Sequence, residues 1–204
     1  MDESSAAAFE GSPRVVGLVS SAGGLDALNR VLAPLPREFP AAIVALQHLQ
    51  PERASSLAEI LGWHTKLTVK PAEDGERLRP GVVLVAPPGR HTLVRPDATI
   101  ALIWSAQLPP SRPSADLLLS SMAVSLAERA VAVVLSGSGH DGTAGAAAVH
   151  RLGGLVVAQD QATSQEFGMP GSAIACDDVV DHVVPLDSIG EVLVELLAGA
   201  GRKV

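Results

Sequence analysis

Residues able to do acyl chemistry stand at the ends of three apolar runs. Ser20 and Ser21 follow RVVGLV (14–19), His48 follows AIVALQ (42–47), and Asp141 lies in LSGSGHDGTAG just beyond AVAVVL (130–135). A hydroxyl, an imidazole and a carboxylate make up a serine hydrolase set. The hydroxyl is a poor nucleophile until an imidazole takes its proton, and a carboxylate holds that imidazole in the useful tautomer. Gly23 and Gly24 permit a turn too tight for a β-carbon, and a helix after them aims amides and positive dipole at a developing oxyanion. Each residue also has an ordinary reading. A Gly-Gly turn can be a plain connection or a phosphate site, although the GxGxxG fingerprint is absent. His48 alone fits a strand-end histidine with a structural hydrogen bond, and Asp141 a turn residue or helix N-cap. His140 and His91 are rival bases, and Ser136 and Ser138 fit turn hydroxyls. A metal site built from His48, His140, Asp141 and Asp160 lacks any HxxxH-like spacing, so no metal and no cofactor is expected.

The elements that must bring these residues together follow from periodicity. Apolar positions Leu25, Leu28, Val31 and Leu32 recur at helical spacing, so 14–35 reads as strand, tight turn, helix. A second strand at 42–47 precedes a helix over 52–61, and a third strand, VVLVA (82–86), stops at PPGRH. Residues 91–94 and 99–104, separated by RPDA, read as a hairpin. A helix over 114–129 has Ser114 as its N-cap. A strand at 130–135, an Ala-rich helix over 142–152, a strand at 155–159 and a closing helix over 188–197 complete the pattern. Nearly continuous apolar strands alternating with helices predict an α/β, doubly wound, mostly parallel sheet covered on both faces, with the hairpin as an insertion. In such a sheet, ligands sit beyond the carboxyl ends of the strands, where the serines, His48 and Asp141 all fall.

Composition narrows the classes. The 204 residues suit one domain, expected over 13–197 between tails at 1–12 and 198–204. Hydrophobic residues at 47% and charged residues at 18% describe a globular chain. Aromatics at 2%, no tyrosine and a net charge of -7 argue against nucleic acid as partner. Cys176 is the single cysteine, so neither an internal disulfide nor a cysteine-rich zinc site is available. With no bilayer-length apolar run and an acidic start (Asp2, Glu3, Glu10), a cytoplasmic protein without membrane insertion is expected.

Six blocks carry a resemblance: VGLVSSAGGLDALNRVLAPLP, VALQHLQP, LVAPPGRHTLV, RPSADLLLSSMA, VVLSGSGHDGTAGAAAVHRLGG and AQDQATSQEFGMPGSAIA. In order and separation they resemble the catalytic domain of bacterial chemotaxis protein-glutamate methylesterases, the CheB type, over nearly all of 13–197. The resemblance implies Ser21 as nucleophile, His48 as base and Asp141 as its orienting carboxylate, with Ser20 a neighbour. It also implies an oxyanion donor at the Ser138 amide, with Ala22, Gly23 and Gly24 shaping the site. The implied reaction is hydrolysis of glutamate γ-methyl esters on chemoreceptor-like helical signalling proteins, with glutamine deamidation in some members.

The chain departs from that family at Ala22, where threonine is usual, at Ser138, where methionine is common, at Ser20 in place of alanine, and at His140 beside the aspartate. These departures motivate an alternative, a catalytically weak binding or scaffold module. A phospho-receiver domain commonly precedes the family's catalytic domain, whereas a short tail precedes Arg14 here, so the domain is expected to be used unregulated, to take its control from a receiver supplied in trans, or to be a fragment or a component of a different signalling pathway. Arg90 and Arg112 are candidates to flank the cleft, and FGMP (167–170) is expected to pack over the triad.

Overall fold

Seven of the strands form one parallel sheet. The computed structural model describes residues 13–51, 54–105 and 113–199. In chain order these form β1 (Arg14–Ser20), α1 (Gly24–Leu32), β2 (Ala41–Gln47), α2 (Leu57–Gly62), β3 (Thr68–Pro71), β4 (Val82–Val85), β5 (His91–Val94), β6 (Ile100–Ile103), α3 (Ala115–Leu126), β7 (Ala130–Val134), α4 (Thr143–Arg151), β8 (Leu155–Gln159), α5 (Gly168–Ile174), β9 (His182–Val184) and α6 (Leu186–Gly199). The sheet order is β3-β4-β2-β1-β7-β8-β9, while β5 and β6 pair antiparallel as the expected hairpin.

The long buried strands match the sequence reading, and the two edges do not. β3 and β9 are additional strands, four and three residues long. Both carry exposed or half-buried residues, so neither shows the apolar run that marked the interior strands; short, polar edges of this kind also discourage edge-to-edge association. The helix expected over 52–61 begins at Leu57, and residues 52 and 53 lie outside the described residues. α5 is a further helix that Gly168, Pro170 and Gly171 disguised as a loop.

Strand alternation sorts the core into two layers. Val15 and Val19 of β1 with Ala42, Val44 and Leu46 of β2 face α3, α4 and the hairpin residues Val94 and Ile100. Val16 and Leu18 with Ile43 and Ala45 face α1, α2 and α6. Helix α3 is apolar nearly all round because it lies between the sheet, α4 and the hairpin; its Ser121 and Ser125 hydroxyls bond the Val94 amide and carbonyl at 3.0 and 2.7 Å. It reaches the sheet at Gly17, where a β-carbon would stand 2.8 Å from Met122 Sδ and 2.9 Å from Leu119 Cδ2. Gly17→Ala should therefore cost about 1–3 kcal/mol by overpacking. Gly62→Ala, whose β-carbon would meet nothing nearer than 3.8 Å, should be neutral or slightly stabilising. Urea melts of the two variants against wild type check the contrast.

Candidate active site

Period-2 alternation decides which of the two serines faces the chemistry. Ser20 is fully buried, and its Oγ donates to the Leu46 carbonyl at 3.2 Å on the α1 side of the sheet. Ser21, one residue later, stands on the α3 side with Val15, Gly17 and Val19. On β2 the same parity sends Gln47 to the α1 side and His48 to the α3 side. The pairing Ser20↔Gln47 and the bond from His48 N–H to the Ser20 carbonyl, at 3.1 Å, place Ser21 and His48 side by side. Among the described residues, the Ser21 hydroxyl makes no hydrogen bond.

The third element comes from the loop after β7. β1 lies between β2 and β7, so chain order reverses there, and the crevice at this switch point is where ligands of open α/β sheets sit. Asp141 Oδ2 lies 2.8 Å from His48 Nε2 and accepts the Ala115 amide at 2.8 Å, while Oδ1 accepts the Asp116 amide at 2.8 Å and the Ser114 hydroxyl at 3.1 Å. Ser114 also caps α3, as its sequence position predicts, accepting from Leu117 N–H. Burial pushes the Asp141 carboxyl up, but the His48 hydrogen bond and the two α3 amides outweigh it and hold the pKa at about 2. An ionised carboxylate only accepts, so His48 carries its proton on Nε2, and Nδ1 is the basic nitrogen. In the chymotrypsin triad the two nitrogens have the opposite roles.

The exchange between helices is mutual. Asp116, in the first turn of α3, accepts the Gly142 and Gly145 amides at the start of α4 through Oδ1, at 2.9 and 2.8 Å. Burial raises the Asp116 pKa, and the neighbouring Asp141 charge adds to the rise.

A second hub fixes the turn that carries Ser21. Ser136 accepts the Ser21 amide at its carbonyl (3.0 Å), donates its hydroxyl to the Ala22 carbonyl (2.8 Å) and receives the Glu166 amide (3.0 Å). Its own amide is held by the fully buried Gln159, at 2.8 Å. Gly23 has φ +77°, and a β-carbon on Gly24 would collide with the Ser20 side chain, so both glycines are demanded by the turn. Gly137 lets Ser21 and Met169 close on the loop, and Met169 donates its amide to the Gly137 carbonyl at 2.8 Å. Within FGMP, Met169 is fully buried in the core and meets Gly137 next to Ser21.

Several candidates from the sequence fall elsewhere. His91 is buried in the hairpin, its Nε2 2.9 Å from Ser105 Oγ. His140 is exposed, and Asp160 turns its carboxylate to Thr163. Arg90 is exposed beside the loop after β4, and Arg112 lies outside the described residues. Ser138 is exposed between the strand end and Asp141, and among the described residues its amide bonds no acceptor. No group of three or more His, Cys, Asp or Glu able to hold a metal ion occurs among the described residues. Ser136, Gln159, Asp116 and Met169 carry functional geometry that the sequence reading treated as turn, strand, helix or packing residues.

The family described as CheB methylesterase matches residues 16–193. A protein-glutamate methylesterase/protein-glutamine glutaminase of Thermotoga maritima is 39% identical over 189 residues, covering 91% of this chain and 55% of the relative. One from Pseudomonas syringae pv. tomato is 38% identical over 182 residues, covering 89% and 46%. The chain thus spans about half the length of these relatives. The crystal structure of the Thermotoga maritima CheB methylesterase catalytic domain is 39% identical, with a TM-score of 0.85 over 91% of this chain and 99% of that one. Among the described residues, no helix is long and apolar enough to cross a membrane.

The depressed Asp141 pKa carries a pH signature. A carboxyl held at about 2, below its ordinary 3.8, contributes stability that is complete above pH 4 and is lost as pH falls through 2. Asp141→Asn removes that contribution. The gap in melting temperature between wild type and Asp141→Asn should narrow as pH falls from 4 to 2 in thermal melts.

Proposed function

The chain belongs to the CheB methylesterase family, and from that premise we propose that it hydrolyses glutamate γ-methyl esters through Ser21, His48 and Asp141. The observation that carries this reading is the Asp141–His48 bond, with Ser21 and His48 each following one member of the Ser20↔Gln47 strand pair. His48 Nδ1 takes the proton as Ser21 Oγ attacks the ester carbonyl. The oxyanion that forms is held by the Ser138 amide. Methanol leaves with the proton returned from His48, and the acyl group stays on Ser21 Oγ. Water then attacks the acyl carbon, gives its proton to Nδ1, and releases the glutamate carboxyl and the free hydroxyl. A glutamine side chain entering the same site loses ammonia in place of methanol. Asp141 stays ionised throughout and stabilises the imidazolium.

The substrate class proposed is a methylated chemoreceptor or similar helical signalling protein, met in the cytoplasm. Residues 13–197 are proposed as the catalytic unit, which the family match over 16–193 supports; the expected tail at 1–12 lies outside the described residues, and α6 runs on to Gly199, past the expected end at 197. The alternative is a scaffold that binds the receptor without turnover, for which the departures at Ala22 and His140 speak.

Methanol release from methylated receptor membranes tests the choice. Wild type should release methanol, Ser21→Ala should lose more than about 10³-fold in rate, and Ser20→Ala should keep most of it, because the two hydroxyls lie on opposite faces of the sheet. Binding of the receptor with no release by wild type would overturn the esterase reading in favour of the scaffold.

A further inference from the structure

Resting on the esterase reading, we propose that Asp116 is a positioning residue for the reaction: it fixes the loop that carries Asp141 and so sets the His48–Asp141 contact. Asp116 touches neither Ser21 nor His48. Its Oδ1 accepts two amides on either side of the turn that starts α4, Gly142 N at 2.9 Å and Gly145 N at 2.8 Å, while its own amide donates to Asp141 Oδ1 at 2.8 Å. Gly142 directly follows Asp141 and has φ +102°, a conformation that L side chains rarely adopt and glycine adopts freely. One carboxylate therefore clamps the residue after Asp141, and the adjoining amide clamps Asp141 itself.

The packing leaves Asp116 little alternative. A β-carbon on Gly145 would stand 2.6 Å from Leu119 Cβ and 3.0 Å from the Asp116 carbonyl, so the first turns of α3 and α4 are in direct contact. Gly142 and Gly145 are buried, so amides released by loss of the carboxylate would have no water to turn to. The loop has to move to satisfy them, and Asp141 moves with it. What the site requires at position 116 is an acceptor at the right place, more than a charge. Asparagine meets that requirement, glutamate misses it by one methylene, and alanine lacks it.

The test compares wild type with Asp116→Ala, Asp116→Glu and Asp116→Asn, reading kcat and KM for methanol release together with the downfield proton resonance of His48 Nε2–H. Leu197→Ala, which loosens the core on the opposite face of the sheet, serves as a destabilised control. Ala and Glu should lower kcat by about 10- to 100-fold at a nearly constant KM and should shift or abolish the resonance. Asn should restore most of both, and the control should melt lower with kcat and the resonance intact. Wild-type kcat and an unmoved resonance in Ala or Glu would overturn the proposal, as would an equal kcat loss in the control. If Ala does not fold, Glu decides, since it keeps a carboxylate at the helix start. If wild type releases no methanol, the esterase reading fails by itself, and the resonance still decides the role of Asp116.

Discussion

Two helices lie side by side with their amino ends adjacent, and each hands the other a carboxylate. Helix N-termini carry unpaired N–H groups and positive partial charge, so bringing two together is unfavourable unless anions stand between them. Asp141, just ahead of α4, fills the start of α3, and Asp116, in α3, fills the start of α4. The two carboxylates are themselves neighbours, which explains their unequal acidity. Asp141, with the imidazole and two amides, stays ionised to about pH 2, while burial and the Asp141 charge push Asp116 upward. The anion that steadies His48 is thus one the fold already needs to join its helices.

The sheet does the rest of the positioning. Because β1 sits where chain order reverses, its end is open to the loops after both β2 and β7. Parallel pairing with a period of two sends Ser21 and His48 to the same face from adjoining strands, and the α3–α4 junction lies on that face. Ser20 and Gln47, one residue earlier, are turned to the opposite side. A slip of one residue between β1 and β2 would put Ser21 and His48 on opposite faces of the sheet. The Ser136 hub opposes such local play, since one residue grips the Ser21 amide and the Ala22 carbonyl and is itself fixed by buried Gln159.

What was legible in the sequence followed burial. Strands β1, β2, β7 and β8 are apolar on both faces because helices cover both, so their runs mark their extents closely. β3 and β9 are covered on neither side to the same degree, and their exposed Thr68 and His182 left no run to read. At the site, the residues at strand ends could be named because strand ends are visible in a sequence. Asp116 could not be, since an aspartate in a first helical turn reads as an ordinary dipole partner, and its contact with Gly142 and Gly145 spans about one helix and one strand of intervening chain. Gln159 looked like the last residue of a strand, and only the fold shows its amide turned inward to Ser136.

The departures at Ala22 and His140 weigh less in three dimensions than they do in the sequence. Ala22 is exposed, and the turn around it is held by its carbonyl, through Ser136 Oγ, and by the Gly24 amide bonding the Ser21 carbonyl at 2.9 Å. None of that needs a hydroxyl at position 22. Asp141 already accepts four hydrogen bonds, about the capacity of a carboxylate, so an imidazole at position 140 finds no free lone pair to claim. His140 is in fact turned to solvent, and its carbonyl accepts the Thr143 amide at 3.2 Å as part of the α4 start. The substitutions fall on the outer surface of a site whose rigid parts lie underneath, in Ser136, Gly137, Met169 and the paired helix ends.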